Sequence, residues 1–455
     1  MKRSRKLLAG VVAVGLVASL GACASGGGGT EGGGVAPTTA ENCKNTIKDG
    51  VPTVTVWAWY PYFDAVVDVF NEKNDDVQVC WIDAGASADE YAKFNVTLEA
   101  GNGAPDVIMI EGDMMPGYIL RGAFEDISEF GANDINGNFT EGTWGQISIG
   151  DAVYAIPVDA GPMGMYYRQD IYDEYGIAVP TTWKEFAAAA EQMKDAGAEG
   201  FLANWQTNNP AFSFALLAQN GWAPFSFDIS KPDEVSVNID TEEGTEVINY
   251  WFDLIGRGLI SADDRGTTDW QRNLITGKYA TYVAPAWGNK NIEGIEGSDP
   301  NAQWRAAPLP QWDPENPVVT NWGGSNFAVT TQAPDKELAA QVAMGLFSDE
   351  ESWKIGVEDV LFFPAYLPIL ESDYFSGLAK PFYGDQKMNE EVWVPAARSV
   401  ESFTYGPTTQ FTYNVMIETL NDMLQGNIQP DDVLATVEDR VVEDLETQGF
   451  TVTVN

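Results

Sequence analysis

In this 455-residue chain the side chains able to do chemistry are carboxylates and aromatic rings. Histidine is absent, which removes Ser-His-Asp and Cys-His nucleophiles, His-ligated zinc and the usual neutral-pH proton shuttle. Three acids stand out by position. Glu111 and Asp113 close the apolar run Val107–Ile110, and Asp159 interrupts the stretch VYAIPVDAGPMGMYYRQD. Two carboxylates are sufficient for retaining or inverting cleavage of a glycosidic bond, so that chemistry stays open. With 67 acidic residues in the chain, however, three near one place say little. The run Gly323-Gly324-Ser325-Asn326-Phe327 lacks the last glycine of a nucleophile elbow. Asp134, Asn136 and Asn138 begin a calcium-loop spacing, but Phe139 stands where Gly is required and Gly145 where the bidentate Glu should be. Gly101-Asn102-Gly103 precedes a strand instead of following one, so it is no dinucleotide fingerprint.

The aromatic pattern carries more. Trp57, Trp59, Tyr60, Tyr62, Tyr166, Trp205, Trp222, Trp287, Trp322, Tyr366 and Tyr405 fall mainly in loops or at element ends, beside Gly, Pro or Asn. Core rings such as Phe63, Phe70 and Phe94 sit instead within periodic segments. Sugar rings present C–H faces that pack on aromatic planes, while Asp, Asn, Glu and Arg bind the hydroxyl rim. A cleft mixing the two is built for carbohydrate.

The elements that must position these groups alternate. Val51–Trp57, Val77–Ile82 and Val107–Ile110 read as strands, and the helices between them carry Phe63, Val66, Val67, Phe70 and Tyr91, Phe94, Leu98 at helical spacing. Continuous apolar strands of this kind predict a parallel sheet covered on both faces, with a ligand beyond the strands' carboxyl ends. Thr182 and Glu185 predict a capping box opening a helix that Gly197 ends. Further helices are expected at Ala211–Asn220, Glu243–Ile255, Trp270–Thr276, Lys336–Phe347, Gln410–Gln425 and Asp431–Thr447. Tyr279–Val283 and Asn326–Val329 read as strands, and Trp304–Gln311 and Val318–Trp322 as extended.

The N-terminus belongs to targeting. Lys2, Arg3, Arg5 and Lys6 precede an apolar run Leu7–Ala22 that is too short to span a bilayer. Leu20-Gly21-Ala22-Cys23 has the form of a lipobox, and the glycine-rich run after it is a flexible tether. Export permits Cys43 and Cys80 to pair. Without the first 22 residues, 21 basic residues face 67 acidic ones, a net charge of −46 that repels nucleic acid and anionic headgroups. About 400 ordered residues exceed one core, so two domains are expected.

In order and spacing, several stretches resemble the extracellular solute-binding proteins of ABC importers, in the sugar-binding lipoprotein branch that includes maltose-binding protein. They are the lipobox with its tether, Ala104-Pro105-Asp106-Val107 running to Glu111-Gly112-Asp113, and Tyr154-Ala155-Ile156-Pro157 running to Tyr166-Tyr167-Arg168-Gln169-Asp170. Pro180-Thr181-Thr182-Trp183-Lys184-Glu185-Phe186, Thr276-Gly277-Lys278-Tyr279-Ala280 leading to Trp287, and Gly323-Gly324-Ser325 continue the series. The likeness covers about residues 52–425, with Arg168-Gln169 standing where that family usually has Asn-Lys. It implies an α/β, two-lobe periplasmic-binding-protein-like fold with a hinge of three crossings near Val158–Gly161, Asn321–Ser325 and Phe362–Leu367. Residues 1–22 would be the signal peptide and 23–44 the tether. Lobe one would hold 45–158 plus 324–365, and lobe two 159–323 plus 366–455.

It further implies a monomer without cofactor, metal or catalytic residue. Such a protein captures a neutral sugar and delivers it to a permease by hinge closure. The ligand residues by matching position are Trp57, Trp59, Tyr60, Tyr62, Glu111, Asp113, Asp159, Asn204, Trp205, Trp287, Trp322 and Tyr405. An oligosaccharide of roughly two to five units fits that number of rings, with plant-derived xylo- or arabinoxylo-oligosaccharides as one guess. A lipid such as palmitate on Cys23 would anchor the protein to the outer face of a Gram-positive membrane. The alternatives are a glycoside hydrolase with a carboxylate pair and a binding protein for a non-sugar solute such as a polyamine.

Overall fold

A computed structural model describes residues 42–85, 87–228, 231–401 and 403–455. The expected signal peptide, Cys23 and nearly all of the tether lie outside these residues. Strand β1 (Thr53–Trp57) pairs in parallel with β2 (Gln78–Ile82) and with β3 (Val107–Glu111). Helices α1 (Phe63–Lys73) and α2 (Ala88–Ala100) connect them, burying Phe63, Val66, Val67 and Phe70 from the first and Tyr91 and Phe94 from the second. The sheet then departs from the expected parallel form. Ser325–Val329 enters antiparallel beside β3, and Ala155–Pro157 pairs antiparallel with it, giving five mixed strands. Those last two strands lead out of and back into the sheet at the crossings, so their directions follow from the chain's return path.

The second sheet is antiparallel, with Met163–Arg168 between Thr281–Pro285 and Trp304–Pro308. A parallel pair, Asn204–Gln206 with Ser261–Asp263, extends it, since the Thr281 amide donates to Leu202 O at 2.7 Å. Helix Trp183–Asp195 opens with the predicted capping box, Thr182 and Glu185 each satisfying the other's backbone. Helices Pro210–Gln219 and Glu242–Gly256 pack against it through Gln219 and Trp251, Thr409–Leu424 packs on Pro210–Gln219, and Val318–Trp322 forms no strand, contributing single bridges instead.

Three segments join the two lobes side by side. Asp159 bridges to Pro364, and Pro162 bridges to Asn321. The amides of Val158 and Ala160 donate to Ser325 O (2.9 Å) and Phe363 O (2.8 Å), and Trp322 donates to Gly161 O (2.8 Å). Gly161 admits no side chain, because a Cβ there would lie 1.8 Å from Trp322 O.

The edge strand β2 is covered by the chain's entry. Cys43 forms a disulfide with Cys80, and Lys44 N donates to Trp81 O at 2.8 Å. Asn45 and Lys48 add bonds to Trp81 and Gln78, hiding an edge that would otherwise template aggregation. The disulfide closes a loop of about 38 residues, and the chain-entropy model assigns such a bridge about 4 kcal/mol. Replacement Cys43→Ser should therefore lower the urea midpoint markedly under oxidising conditions and leave it unchanged under reducing ones. Equal midpoints for both proteins under oxidising conditions would contradict this.

Candidate functional site

A cleft of about 670 Å³ opens beside the crossings, lined from one side by Trp59, Tyr60, Glu111 and Asp113 and from the other by Asn208, Arg265, Trp287 and Lys290, with Asp159 and Trp322 at its base. The positions follow from strand ends. Glu111 terminates β3, and Trp59 and Tyr60 follow β1. Asn208 and Arg265 follow the parallel strands Asn204–Gln206 and Ser261–Asp263, and their loops are tied together by Arg265 N donating to Asn208 Oδ1 at 2.9 Å.

The acids are held. Ser87 Oγ and the Tyr91 hydroxyl both donate to Glu111 Oε2 at 3.1 Å. Tyr413, on helix Thr409–Leu424, donates to Asp113 Oδ2 at 2.7 Å. Asp159 Oδ1 accepts the Ser325 amide, and the Tyr60 hydroxyl faces it. Burial pushes all three carboxyls above the ordinary range, Asp159 to about 6.

The cations are less held. Lys290 Nζ lies 4.5 Å from the Trp287 ring centre, and the Arg265 guanidinium lies 5.3 Å from the Trp322 ring and 5.7 Å from that of Trp287. The Lys290 side chain is reached by solvent yet walled by protein, and that enclosure lowers its pKa against the pull of Asp159 and Glu111. Among the described residues neither cation forms an ion pair with a carboxylate oxygen within 4.0 Å, and Arg265 Nε is buried without a hydrogen-bond partner. Trp287 is pinned, its Nε1–H donating to Trp322 O at 3.1 Å.

Of the twelve residues singled out in the sequence, Trp59, Tyr60, Glu111, Asp113, Asp159, Trp287 and Trp322 line this cleft, and five do not. Trp57 is buried at the end of β1. Tyr62 points to solvent, 65 % exposed, at the start of α1. Asn204 is buried and accepts a bond from Trp270 Nε1. Trp205 is fully buried among Phe212, Trp251 and Phe252. Tyr405 is buried against Phe214 and Phe403. Sequence reasoning missed Asn208, Arg265, Lys290 and Tyr413. The strand-end rule finds the first two once Asn204–Gln206 and Ser261–Asp263 are recognised as parallel strands.

The family model for bacterial extracellular solute-binding proteins matches residues 65–374. The chain belongs to that family. This solute-binding protein is 24 % identical over 308 residues to the arabinooligosaccharide-binding protein of Halalkalibacterium halodurans, a stretch covering 64 % of this chain and 66 % of that one, just under two thirds of its relative. The ABC transporter associated binding protein of B. animalis subsp. lactis Bl-04, solved with β-1,6-galactobiose, superposes with a TM-score of 0.73 at 25 % identity, over 89 % of this chain and all of that one. The galacto-N-biose-/lacto-N-biose I-binding protein of Bifidobacterium longum, solved with lacto-N-biose, shares the fold at a TM-score of 0.75 and 21 % identity, over 90 % of this chain and all of that one. The two-lobe architecture with a cleft between lobes is common to them. Among the described residues no cluster of His, Cys, Asp and Glu could hold a metal ion, and no helix is long and apolar enough to cross a membrane.

One buried acid lies behind the cleft. Glu90 on α2 is fully buried, its carboxyl oxygens have no hydrogen-bond partner, and burial followed by Asp83 raises its pKa to about 9. The native state of this solute-binding protein keeps protons on Glu90 and Asp159 where an unfolded chain has released them. On this account the contribution of these groups is fully present only below the ordinary carboxylate values (3.8 for Asp, 4.5 for Glu), falls as pH rises above them, and is lost once pH has passed about 6 for Asp159, about 7 for Asp113 and about 9 for Glu90. Thermal melts at pH 5, 7 and 9 should show a falling Tm, and Glu90→Gln should flatten the part above about pH 7. A Glu90→Gln protein with the wild-type slope would refute the assignment.

Proposed function

We propose that this protein captures a neutral oligosaccharide in the cleft and delivers it by hinge closure to the permease of an ABC transporter. One observation carries this reading: Trp59, Trp287 and Trp322 border the same 670 Å³ space as Asp159, Glu111, Asn208 and Arg265. Ring planes there meet C–H faces while the acids, the amide and the guanidinium take hydroxyls. The relatives' sugar ligands agree in class, and plant-derived oligosaccharides such as arabino- or xylo-oligosaccharides are the first to try. The assignment divides the chain into lobe one, residues 45–158 with 324–365, and lobe two, residues 159–323 with 366–455, so that Asp113 and Tyr413 meet across the cleft. Lipid on Cys23 would hold a monomer at the outer membrane face through the tether.

Two cations inside the cleft weigh against a polyamine, since Lys290 and Arg265 would repel it. Turnover is not expected, because the matching family and the similar proteins are named for binding. Calorimetry over a panel of neutral oligosaccharides should show binding without release of reducing ends. Trp287→Ala should weaken the bound sugar by tenfold or more, as truncating an anchoring aromatic costs more than about 1 kcal/mol. Unchanged affinity in that variant, or new reducing ends in the wild-type assay, would defeat the proposal.

A further inference from the structure

Among the described residues lining the cleft, Lys290 carries the single primary amine. Its place follows from the backbone. Strand Thr281–Pro285 leads into a 3-10 turn, Ala286–Asn291, in which side chains three apart eclipse. That spacing stands Lys290 above Trp287, with Nζ 4.5 Å from the ring centre. Elsewhere Lys73, Lys231, Lys354 and Lys387 are hydrogen-bonded to carboxylates, and those bonds raise their pKa values. Lys290 forms no ion pair within 4.0 Å among the described residues, and enclosure by protein lowers its pKa against the pull of Asp159 and Glu111. An amine so placed holds more of its free-base form, which has the lone pair a nucleophile needs. A sugar unit packed against the Trp287 ring meets Nζ as well, with the carboxyls of Asp159 and Glu111 bordering the same space.

We propose that Lys290 is a covalent modification site, condensing through Nζ with the C1 aldehyde of a reducing sugar held in the cleft. The proposal rests on the carbohydrate reading of the cleft. A reducing-end unit exchanges between its closed ring and an open chain that carries an aldehyde at C1. The Nζ lone pair adds to that carbon, the C=O electron pair moves to oxygen, and the nitrogen passes a proton to it. The hydroxyl then leaves as water with a proton from Asp159, which burial pushes up to about 6 and so keeps partly protonated near neutral pH. The nitrogen lone pair forms the C=N bond, and the N–H proton returns to Asp159. A hydrogen shift from C2 to C1 turns the imine into a 1-amino-2-ketose, with no oxidant or reductant. Confinement speeds the first step, because amine and aldehyde meet as a unimolecular pair. The reaction is a single condensation on the protein itself and turns over no substrate. A chain so modified has its cleft filled and captures no second sugar.

The test incubates the protein at pH 7 with arabinotriose, xylotriose or β-1,6-galactobiose and sodium cyanoborohydride, which traps the imine, and maps adducts by peptide mass spectrometry. Calorimetry reports which of these sugars bind. For a sugar that binds, Lys290 should carry about tenfold or more the adduct found on the exposed Lys184. An excess of the methyl glycoside of that sugar, whose ring cannot open, should protect Lys290 and leave Lys184 labelled. Lys290→Arg should lose the cleft adduct and keep the one on Lys184. A sugar that binds yet labels Lys290 no more than Lys184 overturns the proposal and leaves the carbohydrate reading intact, as does labelling of Lys290 that the methyl glycoside fails to reduce. If calorimetry shows no sugar of the panel bound, the carbohydrate reading of the cleft falls first, and the modification site falls with it.

Discussion

Between Val158 and Met163 the backbone amides are bonded to two other stretches of chain that lie far away in sequence. Val158 and Asp159 reach Ser325 O, Ala160 reaches Phe363 O, Gly161 reaches the Asn321 side chain, and Met163 reaches Thr320 O. Trp322 and Ala365 return bonds to Gly161 O and Val158 O. This three-segment junction is what the rest of the molecule depends on. Among the described residues it satisfies buried backbone where the chain passes between lobes, and it makes relative motion of the lobes a matter of a few residues. It also sets the cleft floor, because Asp159, Trp322 and Ser325 belong to the junction and line the cavity. A substitution that enlarges Gly161 would disturb the hinge and the floor together.

The electrostatics of the cleft are inverted relative to the surface. The chain carries a net charge of −42, yet two of its 25 cations face the cavity without an ion-pair partner among the described residues, while its acids there are held by hydroxyls or a backbone amide. Burial disfavours the ionised acids, as the raised pKa values of Asp159 and Glu111 record. A neutral polyhydroxyl ligand resolves this arrangement without importing charge. It accepts from the cations and donates to the acids, replacing water on both.

Much of the frame was legible. The first crossing was readable because Pro and Gly interrupt an apolar strand there, the other two followed only from the family resemblance, and the helix at Trp183 was readable because Thr182 and Glu185 form a box whose geometry is local. The mixed sheet was not, since strand direction in Ser325–Val329 depends on how the chain re-enters the lobe, which no local pattern encodes. The site was half legible for a related reason. Glu111, Trp59 and Asp159 follow from strand ends. Trp205 and Tyr405 have the same neighbours in sequence but complete an aromatic core in lobe two that also holds Trp183, Trp222 and Trp251. A ring beside Gly or Asn reads alike whether it packs inward or faces a ligand.

That core explains why the second lobe can present a site at all. Trp183, Trp251, Trp205 and Phe212 contact one another edge to face or tilted, and Phe212 in turn meets Trp322 at 5.9 Å. Trp322 then receives the Trp287 indole, which Lys290 covers. The cleft-lining ring of Trp287 is thus the end of a chain of buried rings reaching into the lobe's interior. Close packing leaves such rings little freedom, so Trp287 is oriented before any ligand arrives and little ordering entropy remains to be lost on binding. Lys290, whose long side chain is reached by solvent, rests on the indole from the cleft side, with its charge drawn by Asp159 and Glu111.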